Sequence, residues 1–232
     1  MGRGGTSSAN GPGRARSAPL AVWHTLRDEG PRALWRKALA ALGVRRLVWL
    51  ERDLDAEIPV VRARLEVAVR LLEEADLPAY LELRPDADPA EIRVRLSAGH
   101  WCWAAWRDGR ILCVRWAGTG RVRIEFLDME LRLGPDEAYS YDLFTHPAHR
   151  GAGLSPVGSV EMLRFLRDRG YRRMLVAIAP ENHASLRSVE KTGYRRVGWM
   201  RSLGLGRWRW RWVRRTAAVL GAAFAQLAER LA

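Results

Sequence analysis

A glycine-containing turn in the second half of the chain could bind a phosphate group. Gly151 and Gly153 follow a strand pattern and precede a helix pattern. Residues without a Cβ let the backbone turn sharply and approach a ligand closely. Arg150 adds a positive charge, and Ser155 and Pro156 suit the N-cap and first position of a helix, whose free amides and dipole attract anions. The turn predicts a phosphate or pyrophosphate site, although an ordinary strand-to-helix turn has the same composition.

Two polar residues on the preceding strand are candidates for acid–base chemistry. Tyr141 and Asp142 lie within a strand pattern over residues 138–145. Neighbouring residues of a strand point to opposite faces, so only one of them can face a cleft unless a β-bulge intervenes. Each is a candidate general base, and each also fits a strand residue with a satisfied hydroxyl or a cross-strand partner. The sequence leaves this choice open.

The histidines and cysteines do not form a metal-site pattern. His146, His149 and His183 are expected on loops or on a helix surface, and none clusters with Asp, Glu or Cys at metal-ligand spacing. The two cysteines, Cys102 and Cys113, are too few for a disulfide framework and suit a reducing cytoplasm. We therefore expect no metal and a cytoplasmic protein.

The elements around these residues follow an α+β pattern. Asp108-Gly109 between two β-rich runs is typical of a hairpin turn, and Asp88-Pro89 is typical of the start of a helix. Helices are expected over residues 73–83, 88–96, 156–169 and 182–192. Strands are expected over 62–71, 100–106, 110–116, 121–133, 138–145, 173–179, 195–201 and 207–213, and residues 46–51 form either a short strand or a connecting segment.

The two ends of the chain differ from its middle. Residues 1–18 lack apolar periodicity and are expected to form a disordered tail rather than a signal peptide. Apolar residues recur at helical spacing over 20–42, which Gly30-Pro31 divides, and over 216–231. The predicted organisation is a tail at 1–18, an N-terminal helical extension at 19–60, a central domain at 61–213 and a C-terminal helix at 214–232.

The net charge of +13 is confined to the ends. Residues 1–50 carry nine basic and two acidic side chains, residues 201–232 carry seven and one, and residues 51–200 carry 23 of each sign. This neutral middle argues against a nucleic-acid partner. The absence of about 18 consecutive uncharged apolar residues argues against a transmembrane helix. The basic, partly apolar ends favour helices packed on the domain, with peripheral contact to an anionic membrane as the alternative.

The alternation of Arg and Trp over residues 207–213 predicts a strand with Trp208, Trp210 and Trp212 on one face. The strict alternation favours a half-buried strand, with its Trp face on a core and its Arg face in solvent. A membrane or partner interface, and a nucleic-acid surface where Trp stacks on bases, are the alternatives.

The motifs taken together resemble the GNAT N-acetyltransferase superfamily over residues 62–201. Residues 150–155 (RGAGLS) resemble its R/Q-x-x-G-x-G/A motif, with Ser155 in place of the final Gly or Ala. Asp76-Leu77-Pro78 is another habitual feature of that family. A second motif, N-x-x-S-x-x-x-x-E-K-x-G-aromatic, is matched by Asn182, Ser185, Glu190, Lys191, Gly193 and Tyr194.

The resemblance implies a mixed, mostly antiparallel sheet flanked by helices, and transfer of an acetyl group from acetyl-CoA to a primary amine. The acceptor remains unidentified. Two strands splayed apart would form a V-shaped slot for the thioester. The amides of residues 151–155 would hold the CoA pyrophosphate, and the backbone of 143–145 would pair with pantetheine. The implied donor-binding residues are Leu143, Phe144, Thr145, Arg150, Gly151, Ala152, Gly153, Leu154, Ser155, Asn182 and Ser185.

One position departs from the family pattern. Val189 stands where the family usually has a tyrosine that protonates the leaving thiolate. This departure leaves open a module that binds CoA without turnover. The Trp-rich elements and the apolar end helices leave open a longer-chain acyl-CoA transferase near the membrane. The oligomeric state is also open, with a homodimer as one option.

Overall fold

The computed structural model describes residues 45–124, 127, 129–205 and 208–215. Residues 45–202 and 210–215 belong to one compact unit, and residues 203–209 belong to another. The predicted tail at 1–18 and the predicted helices within 20–42 and 216–231 lie outside the described residues.

Ten strands are present in the described part of the chain. They are β1 (Arg45–Asp53), β2 (Ala68–Leu71), β3 (Trp101–Arg107), β4 (Arg110–Thr119), β5 (Arg121–Ile124), β6 (Met129–Arg132), β7 (Glu137–Thr145), β8 (Arg173–Ile178), β9 (Arg195–Leu205) and β10 (Trp208–Arg215). Eight form one sheet in the order β10-β9-β1-β8-β7-β4-β3-β2. β7 and β8 run parallel, whereas β1–β8, β1–β9, β2–β3, β3–β4 and β4–β7 pair antiparallel. The expected mixed, mostly antiparallel sheet is confirmed.

Four α-helices accompany the sheet within the described residues: α1 (Leu77–Leu83), α2 (Pro89–Ser97), α3 (Leu154–Arg167) and α4 (His183–Glu190). A 3₁₀ turn, Glu74–Asp76, precedes α1. As predicted, Asp88 caps α2 by accepting a hydrogen bond from the Ala90 amide at 2.8 Å. None of these described helices has the length and apolar character needed to cross a bilayer.

The helices and β5–β6 bury separate apolar clusters against the sheet. α3 contributes Met162, Leu163 and Leu166 to a core that also contains Val176 of β8. α1 and α2 cover a cluster around Trp116 of β4. Each fully buried large side chain stabilises the fold by about 1.5–3 kcal/mol relative to exposure. The sheet around β4, β7 and β8 is therefore a rigid support for the residues that follow.

The first strand lies outside the predicted central domain. Residues 45–53 form β1, which pairs with both β8 and β9, so assigning all of 19–60 to a helical extension was wrong. Leu47, Trp49 and Leu50 are buried. A continuous apolar run is typical of a strand covered on both faces, which distinguishes it from a connecting segment.

The second predicted strand is shorter than expected. Only residues 68–71 of the predicted 62–71 are a strand. The backbone upstream is engaged elsewhere, because the Arg64 amide donates to the Ala152 carbonyl at 2.8 Å. The predicted strand at 121–133 is likewise divided, and its two parts pair with each other as the β5–β6 sheet. The Asp108-Gly109 hairpin is confirmed, with φ values of 50° and 75°.

The Arg/Trp run is a strand, but Trp210 and Trp212 are not packed on a core. Trp210 and Trp212 are 44% and 50% exposed. Val213, which points to the opposite face, packs against the cluster that contains Trp49 and Tyr139. Alternation establishes which residues share a face but not which face is covered, and this explains why the predicted orientation was wrong.

Candidate active site

A cleft opens where two central strands separate. The parallel pairing of β7 with β8 ends at Ser140 and Val176, yet β7 continues to Thr145 and β8 to Ile178. The cleft between them has a volume of about 1030 Å³. Residues from both strands line it, including Tyr141 and Ala177. The V-shaped slot expected from the resemblance is therefore present in the structure.

A β-bulge on β7 brings both predicted base candidates to this cleft. Val114 of β4 pairs with Phe144, and Trp116 of β4 pairs with Tyr141. One residue of β4 lies between Val114 and Trp116, whereas two residues of β7 lie between Tyr141 and Phe144. Asp142 adopts a φ of 44°, in the left-handed region that Asp tolerates better than most residues. Tyr141 and Asp142 both line the cleft, because the bulge removes the strict alternation of faces.

The glycine loop joins β7 to α3. Gly151 and Gly153 have φ values of 80° and 83°, and Gly153 is the N-cap of α3. The prediction that Ser155 would be the N-cap and Pro156 the first helical residue was therefore wrong, because the helix begins at Leu154. A proline is tolerated within this first turn, where amides have no intrahelical acceptor.

The backbone of the loop is suited to an anion. Within the described residues, the amides of Gly151, Gly153, Leu154 and Ser155 donate to no backbone carbonyl. The Ala152 amide differs, since it donates to the His149 carbonyl at 3.3 Å. Free amides at the positive end of a helix form an anion site. Four of the five predicted amide donors are thus available to a ligand.

An upstream segment fixes the loop from behind. The Arg64–Ala152 hydrogen bond ties the two backbones together. A Cβ added at Gly153 would lie 3.2 Å from both the Ala63 Cα and the Arg62 carbonyl oxygen. Glycine at 153 is therefore required by the contact with residues 62–63 as well as by its φ.

The remaining predicted donor residues lie along the cleft or next to it. Phe144 and Thr145 pair with β4 on one side only, because β8 no longer accompanies β7 there, and Leu143 lies in the bulge. Asn182 caps α4 by accepting a hydrogen bond from the Ser185 amide at 3.1 Å, and both residues line the cleft. Val189 of α4 also lines it. Asn182 and Ser185 thus border the same cleft as the open edge of β7.

His100 contacts Tyr141 and was not among the predicted site residues. The Tyr141 hydroxyl lies within hydrogen-bond distance of His100 Nδ1. Burial, and to a lesser extent the nearby Arg95 cation, lower the pKa of His100 below its ordinary 6.5. Burial raises the pKa of Tyr141. Both groups are therefore neutral at pH 7, and the phenol can donate to Nδ1 of the imidazole.

Asp142 is engaged by two arginines. Its Oδ1 accepts from Arg84 at 3.0 Å and its Oδ2 accepts from Arg95 at 2.6 Å. Arg95 also pairs with Glu91 of its own helix. Two guanidinium groups on one partly buried carboxylate hold α2 and the segment after α1 against the bulge.

Arg115 is a buried cation beside the cleft. It lies on β4, is 2% exposed and lines the cleft. Its Nη1 donates to Ser140 Oγ at 3.2 Å and its Nη2 donates to Ser155 Oγ at 3.1 Å. Ser155 Oγ lies 2.8 Å from Ser188 Oγ of α4. No carboxylate of the described residues pairs with Arg115, and burial lowers the pKa of its guanidinium.

The three histidines singled out in the sequence have structural positions. His146 accepts a hydrogen bond from the Ala148 amide at the start of a 3₁₀ turn that contains His149, and His183 is the first residue of α4. Among the residues that the structure describes, no three His, Cys, Asp or Glu side chains converge on a metal position.

The chain is similar to several known acetyltransferases. A mycothiol acetyltransferase from Rhodococcus jostii (strain RHA1) is 24% identical over 179 residues, covering 68% of this chain and 55% of that protein. The chain thus spans about half of the length of this relative. A GNAT-family structure from Novosphingobium aromaticivorans aligns over 68% of this chain and 62% of its own, with 18% identity and a TM-score of 0.51. A Brucella melitensis ribosomal-protein-alanine N-acetyltransferase covers 61% of this chain and 94% of its own, with 20% identity and a TM-score of 0.44.

A family model provides the broadest match. The model described as the acetyltransferase (GNAT) family matches residues 69–194, more than half of the chain. This range contains the bulged strand, the glycine loop and both helices that border the cleft. The chain therefore belongs to the GNAT acetyltransferase family.

Proposed function

We propose that the chain transfers the acetyl group of acetyl-CoA to a primary amine. The observation that carries the proposal is the separation of β7 from β8 after Ser140. It leaves an unpaired strand edge that leads from the glycine loop to the His100–Tyr141 pair. Family membership supports acetyl transfer in general, and the open strand edge supports a thioester with a pantetheine arm as the donor.

The described residues fit such a donor. The free amides of Gly151, Gly153, Leu154 and Ser155 would hold the pyrophosphate, with the Arg150 side chain adding positive charge. The β7 edge over residues 143–145 would pair with the amide groups of the pantetheine arm, as an added strand pairs with a sheet edge. Asn182 and Ser185 would donate to the same arm. Acetyl-CoA supplies an activated thioester carbonyl.

We assign the role of general base to His100, acting together with Tyr141. An amine that attacks a carbonyl must lose a proton, and a neutral imidazole accepts protons near neutral pH. His100 is neutral because burial disfavours its charged form. Asp142, the other candidate, has both oxygens engaged by arginines, so we assign it the role of holding α2 in place.

The charges on the α2 side of the cleft are largely paired. Asp86, Asp88 and Glu91 line it, as do Arg84 and Arg95. Arg84 pairs with Asp86, and Arg95 pairs with Glu91. This lining therefore does not select the charge of the acceptor, whose amine must be neutral to attack the carbonyl.

The test combines binding with turnover. Calorimetry should show CoA binding to the purified chain, and incubation with acetyl-CoA and a panel of primary amines should release free thiol. Absence of binding at millimolar CoA would refute the proposal. Binding with no thiol release from any amine would instead support a CoA-binding module.

We also propose a cytoplasmic location. Cys102 and Cys113 are both buried free thiols, which suits a reducing compartment. Nothing in the described residues favours a longer acyl donor near a membrane over acetyl-CoA.

A further inference from the structure

Arg115 is a charged group beside the cleft, and it has no role in the reaction proposed above. A buried charge is strongly unfavourable when no opposite charge lies beside it. Its described partners are hydroxyl groups, Ser140 and Ser155, which satisfy two hydrogen bonds but carry no negative charge. A buried guanidinium with only hydroxyl partners is typical of a site where a negative charge forms next to it during the reaction.

The position of Arg115 identifies where that charge would appear. Ser140 is the last residue of β7 that pairs with β8, so the guanidinium lies where the cleft opens. Ser155, in the first turn of α3, connects Arg115 to Ser188 of α4. Val189, the position at which the family pattern places its thiolate proton donor, lines the same cleft as Arg115.

We propose that Arg115 stabilises the leaving CoA thiolate, a task for which this chain has no tyrosine at position 189. The inference rests on the proposed acetyl transfer. In that step the amine nitrogen forms a bond to the carbonyl carbon, and the carbon–sulfur bond breaks. The bonding electron pair remains on sulfur. The amine proton passes to the Tyr141 oxygen as the Tyr141 hydroxyl proton moves to His100 Nδ1, and solvent later protonates the thiolate. A cation in a water-poor site acts strongly on charge that develops nearby.

The alternative use of the cation is attraction of the CoA pyrophosphate, because Arg115 also contacts the Ser155 hydroxyl. The pyrophosphate would lie at the backbone amides of residues 151–155, whereas the guanidinium is almost fully buried and contacts Ser140, at the point where β7 and β8 separate. A phosphate role would change CoA affinity and leave the acidity of the bound thiol unaltered. The two roles therefore differ in a measurable quantity.

The experiment is a titration of the thiol of bound CoA, followed by thiolate absorbance in the ultraviolet, with free CoA alongside. In the wild-type chain the thiol pKa should lie below that of free CoA. Arg115→Gln should raise it by about one pH unit or more, and Arg115→Lys, which keeps the charge, should stay near wild type. Thermal unfolding verifies that each variant is folded.

Arg52→Gln is the matched control. Arg52 is also a buried arginine, but it donates to the carbonyl oxygens of Ala56 and Glu57 and is not part of the cleft lining. Its loss should leave the thiol pKa of bound CoA unchanged.

Two results would overturn the inference. The first is that the thiol of bound CoA has the same pKa in the wild type and in Arg115→Gln, even if the variant binds CoA more weakly. The second is that the thiol pKa of CoA bound to the wild type is not below that of free CoA. Failure of CoA to bind at all is a separate result, and it would refute the proposed function itself.

Discussion

At the scale of single residues, the neutral pair His100 and Tyr141 determines the acid side of the expected pH profile. The imidazole must be unprotonated to accept the amine proton, so activity is lost as pH falls through its pKa. That pKa is depressed below 6.5, chiefly by burial. The enzyme should therefore keep its full base-dependent rate at neutral pH and lose it only in mildly acidic solution.

The corresponding prediction concerns His100→Gln. We expect kcat to fall by about 10²- to 10⁴-fold, which is the usual contribution of a positioned base. In the wild type, log kcat against pH should bend at a pH below 6.5, and this acid limb should vanish in His100→Gln. Asp142→Asn serves as control and should retain the acid limb, because the Asp142 carboxylate of the wild type binds two arginines and does not accept the amine proton. Loss of the limb in Asp142→Asn alone would show that Asp142 is the base.

Burial of His100 also links pH to stability. The folded state binds the imidazole proton less readily than the unfolded chain does, since the pKa is lowered on folding. This contribution to stability is present above about pH 6.5 and is lost as pH falls through the folded-state value.

At the scale of elements, the glycine loop depends on the segment that braces it. Gly151 and Gly153 share a left-handed φ, but a Cβ at 151 would meet nothing within 4 Å, whereas one at 153 would meet the backbone of residues 62–63. Substitutions at both positions strain the backbone, but only a substitution at 153 also brings a side chain against residues 62–63. Comparing the two therefore distinguishes these effects.

We predict a larger loss of stability for Gly153→Ala than for Gly151→Ala. The change at 151 should lower the free energy of unfolding by about 1–2 kcal/mol, the ordinary penalty for a left-handed residue with a side chain. The change at 153 adds displacement of the residue 62–63 backbone. Urea denaturation measures the free energy of unfolding of both variants. Equal losses would mean that residues 62–63 move aside at no cost in stability.

Local chemistry explains which elements could be predicted from sequence. The Asp108-Gly109 turn and the Asp88 cap depend on adjacent residues, and both are confirmed. The glycine turn was recognised for the same reason. The N-cap is Gly153 instead of Ser155. The Ser155 Oγ contacts Arg115 and Ser188, which no local sequence pattern reveals.

The rest of the site depends on which strands become neighbours. His100 and Tyr141 are 41 residues apart, and Arg84 and Asp142 are 58 apart. These pairs exist because β7 lies beside β4, and single-sequence periodicity does not reveal strand order. Arg115 was overlooked for a related reason, since one arginine within an apolar strand resembles a surface residue until its face is known.

At the scale of the whole molecule, charge and exposed tryptophan coincide near the carboxyl end. Residues 201–232 carry seven basic and one acidic side chain. Trp210 and Trp212 are about half exposed on β10, next to exposed Arg214. Tryptophan and arginine together favour the interface of an anionic bilayer, at about 1 kcal/mol per basic residue near the surface.

We expect the chain to sediment with vesicles that contain anionic lipid at low salt, and less at high salt because screening weakens the attraction. Replacing Trp210 and Trp212 together by serine should reduce the bound fraction. Val60→Ser, at another exposed apolar residue (79% exposed), is the control and should not. Absence of sedimentation at low salt would contradict the expectation.

The place of β1 in the sheet has a consequence for biosynthesis. β1 pairs with β8 and β9, whose residues are more than a hundred positions further along the chain. A ribosome therefore releases the apolar run Leu47, Trp49 and Leu50 long before either neighbour of β1 has been made. Until then this strand has two open edges and an uncovered surface, which is the type of segment that chaperones bind and that aggregates in their absence. The sheet around β1 can therefore form only after β8 and β9 have been synthesised. Slowing translation after β7 should prolong the time during which β1 can aggregate.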